Sequence, residues 1–209
     1  VIFGKSQSQI SYIMNNTTNK LKAQFVVKFL GSTAWSRDRI TQETPGWITD
    51  PVLNARCLTD TTYLYIQKTK DFSIQNKTYS MHKSRNLVKM HCSLATNGRW
   101  TDSIGPCFAD GNNNDEWIYN QETITTDSET NKIFDSALDI IVADRGYSIC
   151  IGPFTLVTPL SIRKGEEQLS RSSANQTGFI TIVRNAIERG FARIKNFKLL
   201  ANTIDTNYL

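Results

Sequence analysis

Residues 177–200 carry Phe179, Ile180, Val183, Ile187, Phe191, Ile194 and Leu199 at helical spacing, largely on one face. A helix of that length with one apolar face has to lay it on another surface, and the residues ahead of it supply one. Residues 55–105 change to short apolar and alternating runs, ARCL, TYLYIQ, NLVKMHCSLAT and RWTDSI, divided by polar turns such as Thr96-Asn97-Gly98. Three or four antiparallel strands fit that pattern. GNNNDEWIYNQETI and SETNKIFDSAL read as helical, DIIVAD as a buried strand ending in an Asp-Arg-Gly-Tyr corner, and FTLVTPL as a further strand. This order of elements predicts an α/β layer with a mixed sheet flanked by helices.

Ahead of that body, Ile10, Ile13, Met14, Leu21, Phe25 and Phe29 recur at roughly helical spacing, and Ser6 with Gln9 forms an S-x-x-Q capping box, so a helix begins near Ser6. Residues 31–54 are polar and punctuated by Gly31, Pro45, Gly46 and Pro51, a connector with one short helix over residues 37–42. The reading is therefore tripartite, 1–30, 31–54 and 55–209. With 209 residues and 39% apolar content the chain can bury one sizeable core and carry a small appendage. A net charge of +5 leans toward polyanions without identifying one. No run of eighteen apolar residues exists and the first residues lack the order of a signal peptide, so no membrane partner and an intracellular location are expected. Cys57, Cys92, Cys107 and Cys150 show no C-x-x-C pairing and only two histidines could join them, which favours buried free thiols over a metal site.

The sequence has no G-x-S-x-G elbow, P-loop, H-E-x-x-H or G-x-G-x-x-G. Carboxylates remain. Asp60 follows ARCLT and Asp144 follows DIIVA, both at ends of apolar runs where a buried sheet meets its rim, and Glu188 lies in the closing helix one turn after Arg184. Three such groups brought together would repel, and a hard divalent cation is the usual way to hold them. The competing reading makes Asp60 and Asp144 turn residues and Glu188 an i, i+4 partner of Arg184 on a solvated helix face.

The stretch from CLTDTTYLYIQ to GPCFADGNNNDEWI, with its Tyr-Ser-x-x-Lys block, Leu-Val-Lys strand, Gly-centred hairpin, Gly-Pro and Asn-Asp, resembles the DDE nuclease domain of PIF/Harbinger-type transposases. VADRGY resembles that family's Asp-x-Gly-Tyr motif, and VRNAIERGFARIKNFKLL its closing Arg-x-x-x-Glu-x-x-x-x-x-x-Lys helix. The resemblance covers residues 55–200 and implies a ribonuclease-H-like fold, with Asp60, Asp144 and Glu188 as a catalytic, metal-binding triad. It implies two Mg2+ or Mn2+ ions bridged by Asp60, and Asp115 as a supporting metal residue whose simpler reading is a helix N-cap. One departure stands out: Thr61 replaces the glycine of the usual Asp-Gly-Thr, and a β-branched residue cannot take the positive φ open to glycine.

The same resemblance makes DNA the partner and the nucleus the place of action. Lys83, Arg85 and Lys89, and Arg184, Arg189, Arg193, Lys195 and Lys198 around Glu188, would line a phosphate path, or form solvated basic faces. Residues 1–21 resemble the second half of a helix-turn-helix, with Ser6, Gln7 and Gln9 at the start of its recognition helix; an amphipathic helix packed on the core is the alternative. A homodimer and a separate DNA-binding partner protein are further expectations. An active transposase domain and a domesticated, catalytically inactive descendant that binds DNA or protein are both consistent with the motifs. Trp100 and Trp117 are read as packing residues.

Overall fold

A computed structural model describes residues 4–48, 52–123, 127–147, 152–162, 164–165 and 167–206. Cys150, expected as a free thiol, lies outside these residues; Cys57 and Cys92 are buried free thiols, and Cys107 is half-buried.

The N-terminal helix α1 spans Gln7–Leu21 and opens on the capping box expected from the sequence. The Ser6 hydroxyl accepts the Gln9 N–H at 3.3 Å and the Gln9 side chain accepts the Ser6 N–H at 2.9 Å. A π-helical turn, Lys22–Val26, and the short α2, Val27–Phe29, continue it. None of these segments has a buried residue, and Tyr12, Ile13, Met14, Leu21, Phe25 and Phe29 are all exposed, so the alternative of a helix packed on the core is overturned.

The connector contains α3, Arg37–Glu43, capped by the Ser36 hydroxyl on the Arg39 N–H. It also contributes Trp35, Ile40, Ile48 and Val52 to the buried core, so it packs as part of the body. Arg37 anchors it, its guanidinium donating through Nε and Nη2 to the two oxygens of buried Asp139 at 2.8 and 2.9 Å.

The body is a six-stranded mixed sheet. Strand β1, Ala55–Tyr65, pairs antiparallel with β3, Arg85–Ala95, and parallel with β5, Ile140–Val142. Strand β6, Thr155–Val157, adds parallel to β5, while β4, Trp100–Phe108, and the two-residue β2, Tyr79–Ser80, add antiparallel to β3. The two runs ARCL and TYLYIQ, read separately in the sequence, are one unbroken strand, which places Asp60 mid-strand opposite Cys92 instead of at a strand end. A helix the pattern did not suggest, α4, Phe72–Thr78, precedes β2; the Asp71 carboxylate caps it by accepting the Ser73 and Ile74 N–H groups. It buries only Thr78, so it leaves no apolar periodicity to read.

Helices cover both faces of the sheet. On one, the closing helix α7, Arg171–Ile194, lays Ile180, Val183, Ile187 and Phe191 against Leu58, Cys92, Leu94 and Val142. It begins six residues before the expected start, at a Ser170 cap, and stops at Ile194; Leu199 belongs to a separate turn, α8, Lys198–Ala201, and is exposed. On the other face, α3, α5 (Asp115–Thr123) and α6 (Glu129–Ile133) pack Ile40, Tyr119 and Ile133 on Cys57, Ala95 and Ile141. Trp100 lies on α7 against Phe191, ring centroids 5.6 Å apart, in the packing role expected of it. The strand order, two antiparallel strands and two parallel ones around β1 with helices on both sides, is consistent with a ribonuclease-H-like fold.

Candidate active site

Strand alternation decides which side chains meet. Leu58 pairs with Val142 across β1 and β5, and Asp60 and Asp144 each stand two residues further on, so the two carboxylates share the α7 face at equivalent depth. On α7, Arg184 follows Ile180 by four residues and precedes Ile187 by three, which turns it inward; it is 8% exposed. Glu188 is one turn later, on the same edge.

The guanidinium of Arg184 touches all three acids. Nη1 lies 3.1 Å from Asp144 Oδ1, and Nη2 lies 3.6 Å from Asp60 Oδ2 and 3.9 Å from Glu188 Oε1. The solvated pairing of Glu188 with Arg184 is therefore only half right: the glutamate is exposed, but the arginine is buried and serves three carboxylates. Burial pushes the Asp60 carboxyl up to about 6, against the Thr61 N–H bond and the Arg184 charge, which both favour the ionised form. Desolvation outweighs the ion pair here because the 3.6 Å contact is long, while the carboxylate is largely removed from water.

Behind β1 lies a second, neutral cluster. Thr61 faces away from Asp60, and its hydroxyl is 3.1 Å from His91 Nδ1 and 3.0 Å from the Tyr147 hydroxyl; Thr59 Oγ1 is 2.8 Å from His91 Nε2. His91 is fully buried, and desolvation lowers its pKa to about 4. The doubt attached to Thr61 rested on a positive φ. Among the described residues Ser84 alone, apart from glycines, has one, and Thr61 is ordinary strand backbone. Its side chain therefore does not crowd the carboxylates. It ties the Asp144 turn to β1 instead, because Tyr147 closes that turn with its N–H on the Asp144 carbonyl at 3.1 Å. Asp144 accepts the Arg145 N–H at 2.8 Å.

The other expected residues lie elsewhere. Asp115 pairs with Lys89 at 2.8 Å on the opposite face of the sheet, and the cap of α5 is Asn114, whose side chain accepts the Trp117 N–H. Lys89 and Lys83 approach the Tyr63 ring at 5.9 and 5.6 Å, and Arg85 stacks on Tyr65 at 4.3 Å, so these cations gather on the Tyr63 and Tyr65 face, away from Asp60. Arg189 and Arg193 are exposed on α7; Lys195, half-buried at its end, has a pKa lowered by burial. Ser6 and Gln9 are occupied with each other in the capping box, and Gln7 is exposed.

The family model described as DDE superfamily endonuclease matches residues 59–209. The chain belongs to the DDE superfamily endonuclease family. No curated protein and no solved structure matches it. For a DDE endonuclease domain, divalent ions are implied, and the donor chemistry accommodates them: hard carboxylate oxygens from β1, the β5 turn and α7 already surround one positive charge. Among the described residues no three His, Cys, Asp or Glu side chains stand close enough to hold an ion unaided, and the arginine is what they contact instead. No helix among those residues is long and apolar enough to cross a membrane.

Sequence reasoning placed Arg184 beside Glu188 but not among all three acids, and it missed His91 and Tyr147 as site-building residues. Arg184 was within reach, since its spacing from Ile180 and Ile187 puts a charge on the apolar face of α7. His91 and Tyr147 gave no such signal, because their partners, Thr59 and Thr61, are distant in sequence.

Proposed function

We propose that the chain is the nuclease and strand-transfer domain of a PIF/Harbinger-like transposase, acting on DNA in the nucleus with Mg2+ or Mn2+. The observation that carries this reading is the convergence of Asp60, Asp144 and Glu188, from three separate elements, on the Arg184 guanidinium. In such an enzyme the bound ions supply electrophilic assistance to an in-line displacement at phosphorus. Asp60, Asp144 and Glu188 would hold them. Asp60 is fixed by the ladder of β1 with β3, opposite Cys92, and Asp144 by the turn that Tyr147 closes, so both carboxylates are oriented before substrate arrives. Glu188, 55% exposed at its side chain, faces the solvent side from which DNA would approach. Arg189 and Arg193, exposed one and five residues further along α7, are suited to phosphates of that strand, and Ser6 and Gln7 to a separate contact.

The test is calorimetric titration of Mg2+ or Mn2+ into the wild type, Asp60→Asn and Glu188→Gln, followed by cleavage assays on DNA. Saturable binding lost in both variants, with cleavage lost in Asp144→Ala, is the expected result. Metal-dependent cleavage that survives Asp144→Ala refutes the assignment.

A further inference from the structure

Arg37 and Arg184 both meet carboxylates, and they do so differently. Arg37 makes a fork: Nε and Nη2 donate to the two oxygens of Asp139 at 2.8 and 2.9 Å, the bidentate geometry of a permanent ion pair. Arg184 makes none. Its three contacts spread over 3.1, 3.6 and 3.9 Å on three separate carboxylates, and its buried Nε has no hydrogen-bond partner. Within the described residues, its charge is what keeps the three acids from repelling one another without a metal. The same charge stands next to any cation those acids could bind.

We infer that Arg184 is a built-in counter-ion, a positioning residue that holds Asp60, Asp144 and Glu188 together in the metal-free protein and competes with divalent cations for them. This inference rests on the metal-dependent reading of the site. Its loose geometry fits a contact that is given up: no bidentate pair has to be broken, and Arg184 and Glu188 share one helix, so a change of arginine rotamer releases the acids without moving the backbone. It also separates folding from metal supply, because the acidic cluster is neutralised by the chain itself. Two consequences follow. Removing the guanidinium charge destabilises the metal-free protein, and the same change tightens metal binding, since a divalent ion no longer shares its ligands with a fixed cation a few ångströms away. A merely structural arginine would do the first and the opposite of the second.

The experiment is titration of MnCl2 alone, by calorimetry, into the wild type, Arg184→Gln and Arg184→Lys, with the thermal midpoint of each recorded in chelator. Arg184→Gln is expected to melt lower than the wild type in chelator and to bind Mn2+ on the order of tenfold more tightly; Arg184→Lys should stay near the wild type in both. Should Arg184→Gln fail to fold, the double variant Arg184→Gln/Glu188→Gln, which removes one charge of each sign, recovers the melting transition if the counter-ion role is right and stays unfolded if the arginine is needed only for packing. Equal or weaker Mn2+ binding by folded Arg184→Gln overturns the inference, and leaves the proposed function standing as long as the wild type binds and Asp60→Asn does not. Failure of both the wild type and Arg184→Gln to bind sinks the two together.

Discussion

The neutral cluster behind β1 has a measurable signature in acid. His91 is held between Thr59 and Thr61 with no solvent contact, and its pKa falls from the usual 6.5 to about 4 through desolvation. The folded-state value lies below the unfolded one, so the unfolded chain takes up a proton first as the pH drops. His91 therefore contributes its full stability above pH 6.5, and that contribution is lost progressively as the pH falls toward 4. Between pH 7.5 and pH 4.5 the loss is about 2–3 kcal/mol, worth roughly 5 to 10 °C in melting temperature for a domain of this size. Other groups titrate over the same range, so the quantity to follow is the gap between the wild type and His91→Gln, which cannot titrate. At pH 7.5 the variant should melt well below the wild type, having lost the two hydroxyl contacts and some packing. At pH 4.5 that gap should narrow by most of the 5 to 10 °C. Differential scanning calorimetry in matched buffers with chelator measures both. A gap of the same size at the two pH values refutes the claim that a buried, neutral imidazole sits behind the strand.

Gly190 faces Trp100, and a Cβ placed there would come within 2.7 Å of the indole ring; Gly190→Ala should lose about 1–3 kcal/mol to overpacking despite the better helix propensity of alanine, seen as a lower urea midpoint. Arg37→Ala strands the buried Asp139 carboxylate and should cost about 3–5 kcal/mol, with Asp139→Asn in the same background recovering part of it; an Arg37→Ala protein as stable as the wild type removes the anchoring role given to that pair. Burial pushes the Cys57 thiol up to about 12 and Cys92 up to about 11, so at pH 8 a maleimide should label Cys107 in the native protein and reach Cys57 and Cys92 only in denaturant, as peptide mass spectrometry would show.

Much of this molecule could be read in one dimension because its signals are local. The Ser6 capping box, the short helix after Ser36, the DIIVA strand and the apolar rows of α7 are set by neighbours three or four residues apart, and the structure has all of them. What failed depended on partners far along the chain. ARCL and TYLYIQ merge across Asp60 because β3 supplies a continuous ladder from Cys57 to Tyr65, and a polar residue mid-run is tolerated where one face opens onto α7. Thr61 looked disruptive only while the glycine it replaces was taken to need a positive φ; in a strand its hydroxyl points away from Asp60 toward His91, 30 residues away, and Tyr147, 86 residues away. Lys89 was expected on a phosphate path and Asp115 as a supporting metal residue; the two-residue period of β3 turns Lys89 toward Tyr63, where it pairs with Asp115.

Asp60 sits in the middle of an eleven-residue strand that pairs with β3 along nearly its whole length, whereas Asp144 lies on a turn and Glu188 on a helix edge. Fluctuations that fray a protein start at its ends and loops and reach such a central ladder last. The amide protons around Asp60 should therefore exchange with solvent only in global opening, while those of the Asp144 turn exchange through smaller, more frequent excursions. Drift at the margins of the domain, in the exposed N-terminal helix or at α8, can then accumulate without disturbing the first carboxylate.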